Sequence, residues 1–343
     1  MMADAVQTLY GTLMLLSGAA CVCGNVLFLL LLLLNTALRS DTLSLALSAA
    51  VSDLALGLAT VPFAAYHSLA GTPHHPGQGA VCQGSGFLFL LLQTSSLHTL
   101  AWTAVDRFSE IWLALSHRRV WTAWRRRAVL LAVWAFCVAS AALPLLGFGA
   151  YEYSERRFLC SLSFTPENGK MVATWVALGV ASPILAVCSL NGYVVYVARK
   201  QARRGTFTCN ELHCYYVPAN NYLRSSVVMV TTSVGLLVCW LPYISVCLYE
   251  TFSGQQSPAV TAALSTWLVL TSAALNPWIT CLTQTRYRAA VRPSIRRFIQ
   301  MCLCSGTALE SHPQISAPHL DSANRISTTT TATRPPSSPK TPT

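Results

Sequence analysis

The chain has 343 residues, of which 53% are hydrophobic and only 10% charged, with a formal net charge of +11. A soluble domain carries about 25% charged residues, and apolar surface on this scale needs lipid as its solvent or aggregates. The composition therefore excludes an ordinary soluble globular domain.

Seven apolar stretches reach the roughly 20 residues that carry a helix across a bilayer: 8–34, 42–69, 82–112, 127–146, 171–198, 223–252 and 258–282. They are continuously apolar and do not alternate, so they read as helices and not as strands of a barrel. The third and sixth exceed the hydrocarbon layer, which predicts tilt or protruding ends. The first has no basic residue before it and too long an apolar run for a signal peptide. The expected layout is a short amino-terminal segment over 1–7, a seven-helix bundle over 8–283, an amphipathic helix over 284–301 and a disordered tail over 302–343.

Charge orients the bundle. Twenty of the 23 Lys and Arg fall in loops one, three and five and after span seven, and only Arg156, Arg157 and Lys170 lie on the other side. The basic side is cytoplasmic by the positive-inside rule, so the amino terminus is expected outside, in a multi-pass protein of the plasma membrane. The basicity reflects topology and anionic headgroups. It is no nucleic-acid signal, since no basic stripe is interleaved with exposed aromatics.

Loop five, 201–222, is polar, and its flanks predict that helices five and six continue past the membrane. Residues 286–301 mix basic and apolar side chains and read as a helix on the bilayer surface, with Pro293 interrupting it. Cys302 and Cys304 follow, where juxtamembrane thiols are either palmitoylated or left unmodified. From Ser305 the chain is rich in Ser, Thr and Pro.

Asp53 is the only acidic residue well inside a span, and an intramembrane carboxylate is costly enough to signal function. Asn25, Ser96 and Asn276 lie near the middle of spans one, three and seven. With Asp53 they form either a site for a small cation, whose hard-oxygen ligands these are, or a water-filled hydrogen-bond network; a proton path is a third reading. Asp106-Arg107-Phe108 closes span three on the basic side. An adjacent acid and base pair locally and separate again, which suits a switch. Pro62, Pro144, Pro183, Pro242 and Pro277 lie inside spans and permit kinks. Of these, Pro242 sits beside Trp240, where an indole next to a hinge would couple a ligand to helix movement.

Of 13 cysteines, only Cys82 and Cys160 lie on the oxidising side outside the core of a span, so they are expected to form one disulfide. No His/Cys grouping has zinc spacing. His74, His75 and His117 fall on loops and read as solvated. No nucleophile–base pair or metal set supports catalysis, so the chain does not read as an enzyme.

From span one to the post-span helix the chain resembles the rhodopsin-like (class A) G-protein-coupled receptors. The resemblance rests on Gly24-Asn25, Ser52-Asp53-Leu54, Cys82, Ser96, Asp106-Arg107-Phe108, Trp134, Cys160, Pro183, Cys239-Trp240-Leu241-Pro242 and Asn276-Pro277, in order and at matching spacing. It implies nucleotide exchange on a heterotrimeric G protein at the cytoplasmic face. Arg107 would contact the G protein once helix six swings out, with Leu115 as the apolar plug in loop three. Asp53, Ser96 and Asn276 would line a sodium pocket.

Several positions depart from that family. Thr280 and Asn191 stand where tyrosines usually meet in the active state, with Tyr193 displaced by two from the latter position. Leu236 replaces a phenylalanine below Trp240. Tyr222 stands where an acid often locks Arg107, and its presence predicts ligand-independent signalling. Phe89 and Leu270 occupy the amine-aspartate and retinal-lysine positions, which disfavours both ligand types. Phe89, Gln93, Trp240, Tyr243 and Trp267 are expected to line a largely apolar pocket for a neutral or lipid-like ligand, unless they are plain core. In the tail, Ser327 and Thr328 open a hydroxyl run whose phosphates would recruit an arrestin; otherwise it is a linker. The alternative to a signalling receptor is a signalling-impaired seven-helix scaffold acting through a partner receptor, with Asn191 and Thr280 as its support.

Overall fold

The computed structural model describes residues 2–38, 43–70, 79–113, 116–204, 207–210, 213–216 and 219–309. Its seven long apolar helices match the seven expected spans to within a few residues, running over Gln7–Leu34, Leu43–Leu69, Ala80–Glu110, Ala123–Leu146, Pro166–Lys200, Val227–Ser253 and Ala259–Thr283. In chain order the elements are α1 (Met2–Leu34), α2 (Leu43–Ala70), α3 (Ala80–Leu113), α4 (His117–Val120), α5 (Ala123–Ala142), β1 (Tyr151–Ser154), β2 (Leu159–Leu162), α6 (Gly169–Thr174), α7 (Ser182–Arg204), β3 (Phe207–Asn210), β4 (His213–Tyr216), α8 (Ala219–Ser253), α9 (Ala259–Thr283) and α10 (Thr285–Leu309). The spanning helices alternate in direction. They leave the start of α1 and the β1–β2 hairpin on one face, called here the amino-terminal face. The α4 turn, the β3–β4 hairpin and α10 lie past the opposite ends of the helices.

Backbone hydrogen bonds close within each helix, which is what a lipid solvent demands. The bundle is lined inward by residues such as Met14, Leu56, Leu90, Trp240 and Leu270, all nearly inaccessible. Outward it presents Leu16, Leu131 and Leu185, each more than 60% exposed. A surface this apolar faces hydrocarbon, so the chain is a multi-pass membrane protein.

Two glycines set how closely the elements approach. A side chain on Gly24 would meet Trp278 Nε1 at 2.8 Å and Pro277 Cγ at 3.0 Å. With hydrogen there, α1 closes on α9, and the Trp278 indole donates to the Ala20 carbonyl at 2.9 Å. A side chain on Gly86 would meet the Tyr151 ring at 2.6 Å. That space seats β1 against α3 and lets the Tyr151 hydroxyl donate to the Ala141 carbonyl at 2.8 Å. The hairpin pairs Tyr151 with Leu162 and Ser154 with Leu159, and the Cys82–Cys160 disulfide ties β2 to the start of α3.

The prolines act as their chemistry dictates, with one correction. Pro62, Pro242 and Pro277 sit inside α2, α8 and α9. Pro183 opens α7 after a widened turn over Trp175–Ala181, a local answer to the missing N–H. Pro144 is not inside a regular α-helix: α5 ends at Ala142 and a tight 3-10 turn, Leu143–Leu146, follows. A second correction concerns α10. Pro293 does not break it, and the helix runs on to Leu309, past the expected end at 301. Its first turns dock on α1, with Tyr287 stacked on Phe28 at 5.7 Å and Asn35 donating to Ser294 at 2.7 Å. Cys302 and Cys304 fall on the α10 backbone, and their side chains, like Leu115 and the tail with Ser327 and Thr328, lie outside the described residues. Helices α7 and α8 extend past the expected span ends, and between them stands the β3–β4 hairpin, which sequence patterning did not predict.

Candidate functional site

Three groups of side chains, stacked from one face of the bundle to the other, carry the chemistry. The central one is built on Asp53 of α2, which is 2% exposed. Asn276 of α9 donates to its carboxylate at 3.4 Å, and the Ser96 hydroxyl of α3 lies close enough to favour its charged form. Asn25 takes a different place from the one expected. Its amide donates to the Cys21 carbonyl at 2.9 Å and across to the Ala273 carbonyl at 3.2 Å, so it fastens α1 to α9 beside the carboxylate. The Asp53 backbone is held in turn by the Cys21 thiol, at 3.2 Å from its carbonyl. Among the described residues no Lys, Arg or His pairs with Asp53; Asp106 is partnered by His117 and Glu250 by Arg157. A carboxylate surrounded only by neutral donors in the middle of a hydrocarbon layer is a place for a proton or a small cation.

The second group closes α3 at the face opposite the amino terminus, and here two expectations need correcting. Asp106 is 3% exposed, yet its partner is not Arg107. His117, expected as a solvated loop residue, is itself 7% exposed and places Nε2 at 3.2 Å from Asp106 Oδ1. The reason is local. Successive helical residues point about 100° apart, so Asp106 and Arg107 diverge. The α4 turn then brings the imidazole back under Asp106, 11 residues on. Arg107, half-buried, faces Tyr287 of α10, Glu110 and Asp106 at longer range. The helix that follows is capped by Thr122, whose hydroxyl accepts from the Arg125 N–H at 3.4 Å.

Nearby, Asn191 occupies one absent tyrosine's position. Its amide reaches Ser233 Oγ at 3.2 Å and the Met229 carbonyl at 3.5 Å, bridging α7 to α8. Tyr193 packs edge-on against Phe108 at 5.3 Å. Thr280 is half-buried. Tyr222 falls on the α8 backbone, with its side chain outside the described residues.

The third group lies towards the amino-terminal face. Tyr243 meets Phe89 at 6.5 Å and Trp240 at 6.3 Å, both edge to face, and the three are almost fully buried. The Trp240 indole N–H has no hydrogen-bond partner in that burial. Two turns further out on α8, past exposed Pro242, come Cys247 and Glu250. Gln93 donates to the Val269 carbonyl at 3.2 Å, which fixes it between α3 and α9. Trp267 does not join the aromatic group in the way expected. Its indole N–H turns to α1, at 3.1 Å from Ser17 Oγ and 3.4 Å from the Leu13 carbonyl, because those are acceptors it can reach. Above the group stands Phe164, 6.3 Å from Tyr243.

Sequence reading missed His117, Arg157 and Glu250. Glu250 sits near the end of its span, and an acid there reads as interfacial. Nothing in the spacing announces a partner 93 positions earlier in the chain.

Comparison with known proteins follows the same lines. The family model described as 7 transmembrane receptor (rhodopsin family) matches residues 24–279. Among curated relatives, the histamine H2 receptor of Canis lupus familiaris is 25% identical over 283 residues, 80% of this chain and 76% of the relative. The adenosine receptor A3 of Ovis aries is 25% identical over 272 residues, 78% of this chain and 83% of its own. The G protein-coupled receptor 161 of Bos taurus is 25% identical over 225 residues, 58% and 42% respectively.

Proposed function

Because the chain belongs to the rhodopsin family of seven-transmembrane receptors, we propose that it sits in the plasma membrane with its amino terminus outside and activates a heterotrimeric G protein at its cytoplasmic face. Its relatives are receptors and not enzymes. The sorting of basic residues supports the orientation. The observation that carries the coupling reading is at the mouth of α3. Asp106 is engaged by His117 at 3.2 Å, so Arg107 is not bound by its neighbour's carboxylate, and it faces Tyr287 and Glu110, contacts that a G protein would replace. With Tyr222 in place of a locking acid, this favours signalling without ligand. Arg107→Ala, tested across G-protein families, removes that signal if the reading is right.

The aromatic group of Phe89, Tyr243 and Trp240 is the proposed ligand pocket, with the bare Trp240 N–H as its hydrogen-bonding point. Two relatives are named for histamine and adenosine. Phe89 stands where amine receptors place an aspartate, so the histamine chemistry is not carried over. A neutral or lipid-like ligand suits the lining. Asp53, Ser96 and Asn276 offer carboxylate, hydroxyl and amide oxygens, a donor set that fits sodium. When bound, the ion would neutralise Asp53, while the three side chains hold α2, α3 and α9 together. Palmitoylation of Cys302 and Cys304 and arrestin recruitment by phosphorylated Ser327 and Thr328 complete the reading.

One observation favours the alternative, a scaffold that signals poorly or through a partner receptor. Asn191 ties α7 to α8 through Ser233 and Met229, where a tyrosine would be free to swing. Restoring tyrosine at both 191 and 280 separates the two: a large gain in G-protein activation favours the scaffold, and little change favours the competent receptor.

A further inference from the structure

The turn of the β1–β2 hairpin carries Arg157 down into the bundle. Phe158, beside it, has φ of 54°. The left-handed backbone there is disfavoured for a non-glycine residue, and its ring packs on Tyr10 at 5.1 Å. The Tyr10 hydroxyl donates to the Arg157 carbonyl at 3.1 Å. On the other side the Arg157 guanidinium donates to Glu250 Oε2 at 2.5 Å. Glu250 Oε1 accepts from the Ser257 N–H at 3.2 Å and from the Ser257 hydroxyl, while Arg156 donates to the Ser257 carbonyl. The hairpin tip is thus fastened to α1 on one side and to the α8–α9 turn on the other, across the extracellular mouth.

Both charges of the pair are nearly out of solvent, with side-chain exposures of 5% and 8%. The guanidinium lies over the Phe164 ring at 4.8 Å and against Tyr243 and Cys247. Cys247 has no accessible surface at all. Buried ion pairs contribute little net stability but are specific in geometry, and losing one partner leaves a charge that must recruit water. In this structure the contact is shut and dry.

We propose that Arg157 and Glu250 form a gate that decides which ligands reach the aromatic pocket. While the pair holds, solutes in extracellular water are excluded and the Cys247 thiol beneath it is shielded. The word ligand here rests on the pocket reading given above; the gate itself does not.

The test uses the full-length receptor on intact cells and a trimethylammonium-ethyl methanethiosulfonate, a cation that does not cross membranes. The Cys247 thiol gives its proton to water and attacks the reagent's sulfenyl sulfur. A new S–S bond forms and methanesulfinate leaves. Labelling of the Cys247 peptide is read by mass spectrometry, with Cys247→Ser as the blank. The wild type should label slowly. Glu250→Ala should label at least about tenfold faster, because the rate follows the population of the open mouth. The charge swap, Arg157→Glu with Glu250→Arg, should return most of the protection.

Equal rates in wild type and Glu250→Ala would overturn the gate, whether both are fast or both slow. So would a swap that labels as fast as the single variant. If Glu250→Ala fails to reach the surface, Arg157→Ala, which leaves α8 untouched, carries the comparison under the same criteria. The readout needs neither ligand nor G protein. A negative result therefore strikes the gate alone, whereas a silent Arg107→Ala strikes the coupling reading alone.

Discussion

Replacing His117 with alanine separates the switch described here from a simple Asp–Arg pair. Asp106 is 3% exposed, and its imidazole partner at 3.2 Å would be gone. Leaving a buried carboxylate without its hydrogen-bond partner costs about 3 kcal/mol or more when nothing replaces it. Here the long Arg107 side chain, whose charge already acts on Asp106 at longer range, would swing toward the bared carboxylate. The net loss then falls to roughly 1–3 kcal/mol, the cost of one poorly satisfied buried polar group. For a chain of this size that lowers the melting midpoint by roughly 1–5 °C. If Arg107 serves the proposed G-protein contact, that movement would also withdraw it, and basal nucleotide exchange should fall along with stability. The assay is a double-mutant cycle on purified receptor, with His117→Ala measured in the wild type and in Asp106→Asn. In the Asp106→Asn background the effect of losing His117 should shrink to a few tenths of a kcal/mol. An undiminished effect there, or no effect in the wild type, would refute the reasoning.

Other outcomes follow from the same geometry. Gly24→Val should cost about 1–3 kcal/mol by overpacking, since even a Cβ meets Trp278 at 2.8 Å; reduced surface expression with a lowered melting midpoint would show it. Tyr151→Phe removes a buried hydrogen bond to the Ala141 carbonyl and should cost about 1 kcal/mol in thermal unfolding, without altering the Cys82–Cys160 bond. If Asp53 holds sodium, added sodium should raise the melting midpoint of the wild type and leave Asp53→Asn unmoved, with potassium as the ionic-strength control.

The bundle itself was legible in the sequence, because a lipid solvent leaves helices as the answer to long, continuously apolar runs. The span ends differ from expectation by only a few residues, and the Cys82–Cys160 bond follows from which side each cysteine occupies. Asp53 was equally legible, since a lone carboxylate in an apolar run stands out against its neighbours. What patterning could not supply was the partner of each polar group. Asn25 reads as a member of the Asp53 cluster by depth alone, yet the close approach at Gly24 sends its amide to the Ala273 carbonyl. Trp267 reads as pocket lining by position, yet Ser17 on α1 draws its indole away. His117 reads as solvated because its loop is polar, while a single turn of helix folds it back under Asp106. The Arg157–Glu250 contact joins segments 93 positions apart, a distance at which hydrophobic periodicity carries no information.

The proposal at the centre of this account is that the bundle activates a G protein through Arg107. Purified receptor in lipid nanodiscs, mixed with one heterotrimeric G protein from each family in turn, tests it through the rate of GDP-for-GTP exchange without added ligand. The account predicts exchange above the spontaneous rate for at least one G protein, and a return to the spontaneous rate with Arg107→Ala. Folded, disulfide-intact receptor that accelerates none of them, or an acceleration that Arg107→Ala leaves intact, would contradict it.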